Sequence, residues 1–160
     1  MEQDKLKSLT HDSLTHGPSP IGGGSGMLMA EEGASLSSGS LRLYHLLPSP
    51  PGREAGGEAR AVGCIDLYNY DPLNRRAAVG IMVATEHRRQ GCGLAMLHAL
   101  QELASTTYRL HTLYADIAAP NAASIALFRK AGYMECGRFK DWLSVDDRYI
   151  DTIRMQKTIS

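Results

Sequence analysis

A short basic segment between a predicted strand and a predicted helix carries the chain's clearest chemical pattern. Its residues are Arg88, Arg89, Gln90, Gly91, Cys92 and Gly93, and the helix would continue through Leu94 and Ala95. Glycine lets a backbone turn sharply and approach a ligand, and arginine supplies charge-assisted donors. Because the free N–H groups at a helix N-terminus favour anions, the segment predicts a cradle for a pyrophosphate. A glycine-containing turn with solvated arginines is the alternative that composition leaves open.

The glycine spacing excludes two common phosphate-binding motifs. Leu94, Ala95 and Met96 follow Gly93, so the third glycine of the dinucleotide fingerprint is missing. A Walker loop also requires Gly-Lys-Ser/Thr, which does not follow here.

Hydrophobic periodicity defines the elements that must position this cradle. Alternating residues predict strands over residues 41–47, 61–70 and 77–85. A stripe of period about 3.5 then predicts a helix to about Thr107; its members are Leu94, Leu97, Leu100, Leu103 and Ala104. Further along, the pattern predicts a strand over 110–117, a helix from Pro120 through Ala131 capped by Gly132, and strands over 134–143 and 148–157. The order β-β-β-α-β-α-β-β predicts a mixed sheet covered by helices.

The N-terminal part of the chain has a different composition. Glycine and proline concentrate in the first 60 residues, where they oppose regular structure. We expect residues 1–40 to be a Gly/Ser/Pro-rich lead-in with short helical turns over 5–14 and 27–32 and no convincing strand. Residues 41–160 would form a single domain.

Charge, apolar runs and cysteine content exclude several functional classes. The 160 residues include 17 Lys+Arg and 17 Asp+Glu, so nothing predicts a nucleic-acid partner. No apolar run is long enough to predict a membrane span, and the N-terminus lacks a basic start before an apolar stretch, so we expect a cytoplasmic protein. The three cysteines have no CxxC spacing and predict reduced thiols, and no residue spacing predicts a metal site.

Two motifs, in order along the chain, carry a family resemblance. The first is Arg88-x-x-Gly91-x-Gly93 at a strand-to-helix junction, and the second begins at Asn121 and ends Phe128-x-Lys130-x-Gly132-Tyr133. Over residues 41–158 the chain thereby resembles the GCN5-related N-acetyltransferase (GNAT) superfamily. Residues 65–77 and 137–142 look most similar to the branch with spermidine and ribosomal-protein acetyltransferases. The resemblance implies an α/β fold with a mixed, mostly antiparallel sheet flanked by helices and a reduced N-terminal region.

The resemblance also implies a co-substrate, acetyl-coenzyme A, and a primary amine acceptor. The pyrophosphate would bind the amides from Arg88 to Gly93, with Leu94 and Ala95 in the first helical turn, and the pantetheine arm would pair with the backbone of Ile81, Met82 and Val83. A backbone N–H near Met82 or Val83 would stabilise the oxyanion. Asn121 and Ser124 would contact the pantetheine arm, although Asn121 also fits a simple helix N-cap. The strands over 77–85 and 110–117 would splay apart around the thioester.

Two departures from the family leave the activity open. Phe128 occupies the position where the family commonly has a tyrosine acting as general acid, and residues 1–40 lack the strand and two helices that form an acceptor wall. Candidates for the general base are Asp66, Tyr68, Tyr70 and Asp116, although such alternation also fits a solvated strand face. We therefore expect an N-acetyltransferase that acts by direct transfer on a polyamine-like small molecule or a protein N-terminus. The alternative is an acyl-coenzyme A sensor or interaction module with weak catalysis; a homodimer is open in either case.

Overall fold

The described part of the chain alternates strands with two helices. The computed structural model describes residues 27–30, 39–47 and 60–159. The strands are β1 (Met27–Ala30), β2 (Ser40–Leu47), β3 (Arg60–Asp71), β4 (Arg76–Val83), β5 (Thr112–Ala118), β6 (Met134–Val145) and β7 (Arg148–Thr158). The helices are α1 (Cys92–Thr106) and α2 (Ala122–Lys130), and a 3-10 turn covers Thr85–His87. The element order predicted after residue 40 is therefore confirmed.

In the described residues, the strands form one seven-stranded sheet in the order β1-β2-β3-β4-β5-β7-β6. Neighbouring strands are antiparallel except for β4 and β5, which are parallel because α1 crosses between them. The mixed, mostly antiparallel sheet predicted from the sequence is confirmed.

Strand β1 corrects one sequence prediction. We expected helical turns over residues 27–32 and no convincing strand in residues 1–40. Instead Met27–Ala30 pairs antiparallel with β2, from Met27 opposite Leu46 to Ala30 opposite Leu43. The available edge of β2 gives this segment backbone partners, and pairing in the tertiary structure outweighs local propensity. The other predictions for residues 1–26 and 31–38 lie outside the described residues, and the division into 1–40 and 41–160 stays a prediction.

Both helices pack on the same face of the sheet. Of the predicted stripe in α1, Leu97, Leu100, Leu103 and Ala104 are buried, whereas Leu94 is only half-buried at the start of the helix. Ile125 and Phe128 of α2 join the same core as Ile65, Leu67, Ala77, Val79, Leu113 and Ala115 of the sheet. Neither described helix covers the opposite face, so we refer to it as the open face. Among the described residues, no helix is both long and apolar enough to cross a membrane.

Candidate functional site

An opening in the sheet lies between the two parallel strands. β4 and β5 pair only at their beginnings, from Arg76 opposite Thr112 to Ala78 opposite Tyr114. Beyond this point β4 stays paired with β3 as far as Val83, and β5 stays paired with β7 as far as Ala118. The two strands thus separate, while β4 stays paired with β3 and β5 with β7. This leaves a wedge-shaped opening between two strands that are each held in the sheet.

The backbone of β4 offers hydrogen-bonding groups to this opening at alternate residues. The N–H of Ala84 donates to Val62 of β3 over 2.9 Å, whereas the C=O of Arg75 accepts from Thr112 on the β5 side. Because backbone groups alternate along a strand, Ile81 and Val83 face the opening and Met82 faces β3. Of the three residues expected along a pantetheine arm, Ile81 therefore presents its N–H and C=O to the opening, whereas Val83 presents its N–H, because its C=O accepts from Arg88.

The start of α1 has unpaired amides. Gly91 is its N-cap in a left-handed conformation, φ +85°, with no side-chain cap, and the first helical bond runs from the Ala95 N–H to Gly91 over 3.0 Å. The N–H groups of Cys92, Gly93 and Leu94 have no acceptor in the described chain. No acidic side chain lies in this first turn. The three amides and the helix dipole therefore form a site for an anion beside the opening.

Polar side chains of the loop before α1 brace it. Arg88 donates from Nε to the C=O of Val83 over 2.9 Å, and Gln90 donates from Nε2 to the C=O of Glu86 over 2.9 Å. Arg88 thus ties the loop to the end of β4 with one nitrogen, and the residue is otherwise exposed. Arg89 is exposed and has a left-handed backbone, φ +61°.

Gly91 and Gly93, the two glycines of the motif, are needed for different reasons. An added Cβ on Gly91 would meet no atom within 4 Å, so the left-handed backbone is what requires glycine there. On Gly93 it would lie 3.0 Å from Leu127 Cδ2 and 3.5 Å from Val83 Cγ2. Gly93 therefore lets the start of α1 approach α2 and β4 closely.

Asn121 caps the second helix beside the opening. Its Oδ1 accepts the Ser124 N–H over 3.1 Å, so the N-cap role predicted for it is confirmed. Its Nδ2 remains a donor, and Ser124 is half-buried in the first turn. Both predicted pantetheine-contacting residues thus lie together at the N-terminus of α2.

The aromatic residues of the second motif belong to the core. Phe128 is 2% exposed and packs edge-on against Tyr133, with ring centroids 4.9 Å apart. The Tyr133 hydroxyl is buried, and this burial raises the pKa of Tyr133 above its usual value. The buried Tyr133 hydroxyl holds its proton and is not accessible. It therefore does not replace the general-acid tyrosine that the family commonly has at the position of Phe128.

The structure brings three of the predicted base candidates together on the open face. Asp66 lies opposite Gly80 of β4, where the opening begins, and Asp116 lies on the β5 wall. Tyr68 lies two residues after Asp66 on β3. Its Cε1 is 3.4 Å from the position that a Cβ on Gly80 would occupy. Burial raises the pKa of Tyr68, and the nearby charge of Asp116 adds to that rise.

Tyr70 does not join this group. A register shift between Tyr68 and Asp71, with Asn69 at φ +50°, interrupts the alternation of β3. Tyr70 packs against the helix-side core instead. The bulge therefore separates it from the open face, a change of face that strict alternation would not predict.

Arginines neutralise both carboxylates, a feature that the sequence analysis missed. Arg42 donates from Nε and Nη2 to Asp66 over 2.8 and 3.1 Å, and Arg154 donates likewise to Asp116 over 2.7 and 2.7 Å. The hydrogen bonds with Asp116 raise the pKa of Arg154, as those with Asp66 raise the pKa of Arg42. The partners are 38 and 24 residues apart, and only the strand register could have revealed them. In the described residues, no group of three or more His, Cys, Asp or Glu side chains is arranged to hold a metal.

Comparison with known proteins places this geometry in a family. Residues 39–134 match the family described as Acetyltransferase (GNAT) domain. A spermidine N(1)-acetyltransferase of Vibrio cholerae is 26% identical over 94 residues, which cover 59% of this chain and 54% of that protein. A putative ribosomal N-acetyltransferase of Bacillus subtilis is 30% identical over 91 residues, covering 57% of this chain and 50% of that protein. The chain thus spans about half the length of these relatives.

Solved structures show the same fold. The V. cholerae spermidine N-acetyltransferase in complex with CoA and spermine superposes with a TM-score of 0.65 at 21% identity, over 77% of this chain and 68% of that one. A dodecameric structure of the same enzyme gives a TM-score of 0.66 at 22% identity, over 78% and 68%.

Proposed function

The chain belongs to the acetyltransferase (GNAT) domain family, and we propose that it transfers an acetyl group from acetyl-coenzyme A to a primary amine by direct transfer. The observation that carries the proposal is the wedge between β4 and β5 with unpaired amides at its mouth. A relative solved with CoA and spermine supports the choice of co-substrate.

The chain's own residues supply the binding groups. The amides of Cys92, Gly93 and Leu94 would hold the pyrophosphate, assisted by the N–H groups of Arg88 that do not bind Val83. Ile81 and Val83 would pair with the pantetheine arm as with an added strand. The Nδ2 of Asn121 would donate to the same arm.

The acceptor amine would approach from the open face. The neutral amine nitrogen would attack the thioester carbonyl, the C–N bond would form as the C–S bond breaks, and the proton lost from nitrogen would pass to water and from there to the departing thiolate. The N–H of Val83 would stabilise the oxyanion, because the N–H of Met82 faces β3. The coenzyme thiol has a pKa near 8.5, so its thiolate can leave without a protein acid.

One experiment tests the function. The purified protein would be mixed with acetyl-coenzyme A and a panel of amines, and release of free thiol would be followed. We expect thiol release that depends on the amine. Binding of the coenzyme by calorimetry, with no release for any amine, would contradict it.

A second candidate is an acyl-coenzyme A sensor with weak catalysis. Phe128 has no proton to donate, and both carboxylates at the opening are paired with arginines. The same assay distinguishes the two, since a sensor binds the coenzyme without turnover. A homodimer and a cytoplasmic location remain part of the proposal; one solved relative is described as dodecameric.

A further inference from the structure

We propose that Arg42 and Arg154 determine acceptor specificity, by cancelling the two carboxylates at the opening so that the site selects the α-amine of a peptide or protein chain over a polyamine. The inference rests on the proposed acetyltransferase function and names its substrate class.

The pairing geometry makes the cancellation strong. Each carboxylate has both oxygens engaged by one guanidinium, at distances between 2.7 and 3.1 Å. The side chains of Asp66 and Asp116 are only 25% and 29% exposed. Bidentate pairs of this kind are among the strongest hydrogen-bonded ion pairs in proteins.

Two aromatic rings also contact the Arg154 guanidinium. Its guanidinium carbon lies 4.6 Å from the ring centroid of Tyr114 and 5.0 Å from that of Phe139. A guanidinium fixed over two rings does not easily swing away to release Asp116. The pair is therefore a built feature of the open face.

Charge balance then disfavours a polycation. Two carboxylates and two guanidiniums sum to zero, so these four described side chains add no excess negative charge to the opening. A polyamine carries several positive charges, and each must leave water without an unpaired anion to meet it. An acceptor with a single charged amine loses the hydration of one charge only.

Proton balance favours the same class. Both oxygens of Asp66 and of Asp116 already accept N–H groups of an arginine, so a proton from the amine would have to displace one of these hydrogen bonds. An α-amine with a pKa of about 7.7–8.0 is roughly a quarter neutral near pH 7.4, whereas an alkylamine with a pKa of about 10.4 is roughly a thousandth neutral. Only the α-amine supplies the nucleophile without a strong protein base.

Arg154 further suits an acceptor that carries carbonyl groups. Its Nε and Nη2 bind Asp116, and its Nη1 has no partner in the described part of the chain. Those N–H groups can donate to the first carbonyl oxygens of a peptide. A simple alkylamine has no atom to accept them.

The test compares three acceptors: a lysine-free peptide with a free N-terminus, spermidine and n-butylamine. For the unmodified protein we expect kcat/KM for the peptide to exceed that for each other amine by about tenfold or more. In Arg154→Gln the Asp116 charge is unpaired, and kcat/KM for spermidine should rise by about tenfold while that for the peptide falls. Arg42→Gln should act in the same direction through Asp66.

Two matched controls separate charge from structural damage. The double variant Asp116→Asn/Arg154→Gln is again neutral and should show no gain for spermidine. Arg76→Gln removes the arginine partner of Asp71 at the turn between β3 and β4. The Arg76 Nη2 and Asp71 Oδ2 atoms are 3.0 Å apart, and losing this pair should leave the selectivity unchanged.

Each other outcome counts against the proposal. A preference of the unmodified protein for spermidine or n-butylamine overturns it, as does an equal spermidine gain in the single and double variants. Coenzyme binding with no transfer to any amine would overturn the proposed function, and the specificity inference with it. Transfer with the wrong preference would overturn the inference alone.

Discussion

Replacing Gly91 by alanine isolates the contribution of one backbone angle to the anion cradle. Gly91 has φ +85°, and an added Cβ would meet no atom within 4 Å. The substitution therefore introduces no overlap with the protein. What remains is the cost of a left-handed conformation for an L-residue, roughly 1–2 kcal/mol.

Gly137→Ala is the matched control. A Cβ on Gly137 also meets nothing within 4 Å, but its φ lies outside the left-handed region. Alanine there removes freedom from the unfolded chain without native strain. We expect a neutral effect or a gain of about 0.4–1 kcal/mol.

The conformational cost of Gly91→Ala must appear either in the free energy of unfolding or in the affinity for the coenzyme. If the loop keeps its shape in the free protein, the free energy of unfolding falls by about 1–2 kcal/mol relative to Gly137→Ala. For a domain of this size that lowers Tm by roughly 2–8 °C. If the loop relaxes instead, coenzyme binding must restore the shape, and the affinity falls by about 5–30-fold.

The assay is therefore a pair of measurements on all three proteins. Urea denaturation gives the free energy of unfolding, and calorimetry with coenzyme A gives the binding free energy. For Gly91→Ala the two losses, each measured relative to Gly137→Ala, should sum to about 1–2 kcal/mol. A sum no larger than that of Gly137→Ala would refute the idea that the left-handed turn at Gly91 shapes the cradle.

Two further predictions concern stability. Gly93→Ala places a Cβ 3.0 Å from Leu127 Cδ2, and Leu127→Ala removes that crowding, so in urea denaturation the double variant Gly93→Ala/Leu127→Ala should be more stable than the sum of the single effects predicts. His45 is buried with Nδ1 unpartnered in the described chain; burial, together with the charge of His87, lowers the pKa of His45. The unfolded chain then takes up this proton near its usual pKa of about 6.5, before the folded protein does, so stability is full above that pH and falls as the pH drops below it. The urea midpoint should fall less between about pH 7.5 and about pH 5.5 in His45→Leu than in the unmodified protein, and equal falls would contradict this.

Local sequence determined the features that depend on a few adjacent residues. Gly132 ends α2 in the expected left-handed conformation, φ +91°, and Asn121 caps its start. Gly91 takes the positive φ that a sharp entry into α1 requires. These outcomes follow from steric limits and from bonds within one turn of chain, so a short sequence pattern predicts them.

The faces of the strands were predictable only where alternation was unbroken. Asp66 and Tyr68 lie together on the open face, as a period of two requires. Tyr70 does not, because a bulge after Tyr68 turns it toward the helices. Residues 27–30 likewise form a strand only because β2 offers an edge.

The sequence by itself determined the order of the elements, the cradle motif and the residue types available at the site. The tertiary structure alone decided their electrostatic state, because Asp66 and Asp116 meet arginines 24 and 38 residues away. It also decided which backbone groups face the opening, since that depends on where β4 and β5 stop pairing. Strand register brings distant charges into contact, and no local pattern specifies it.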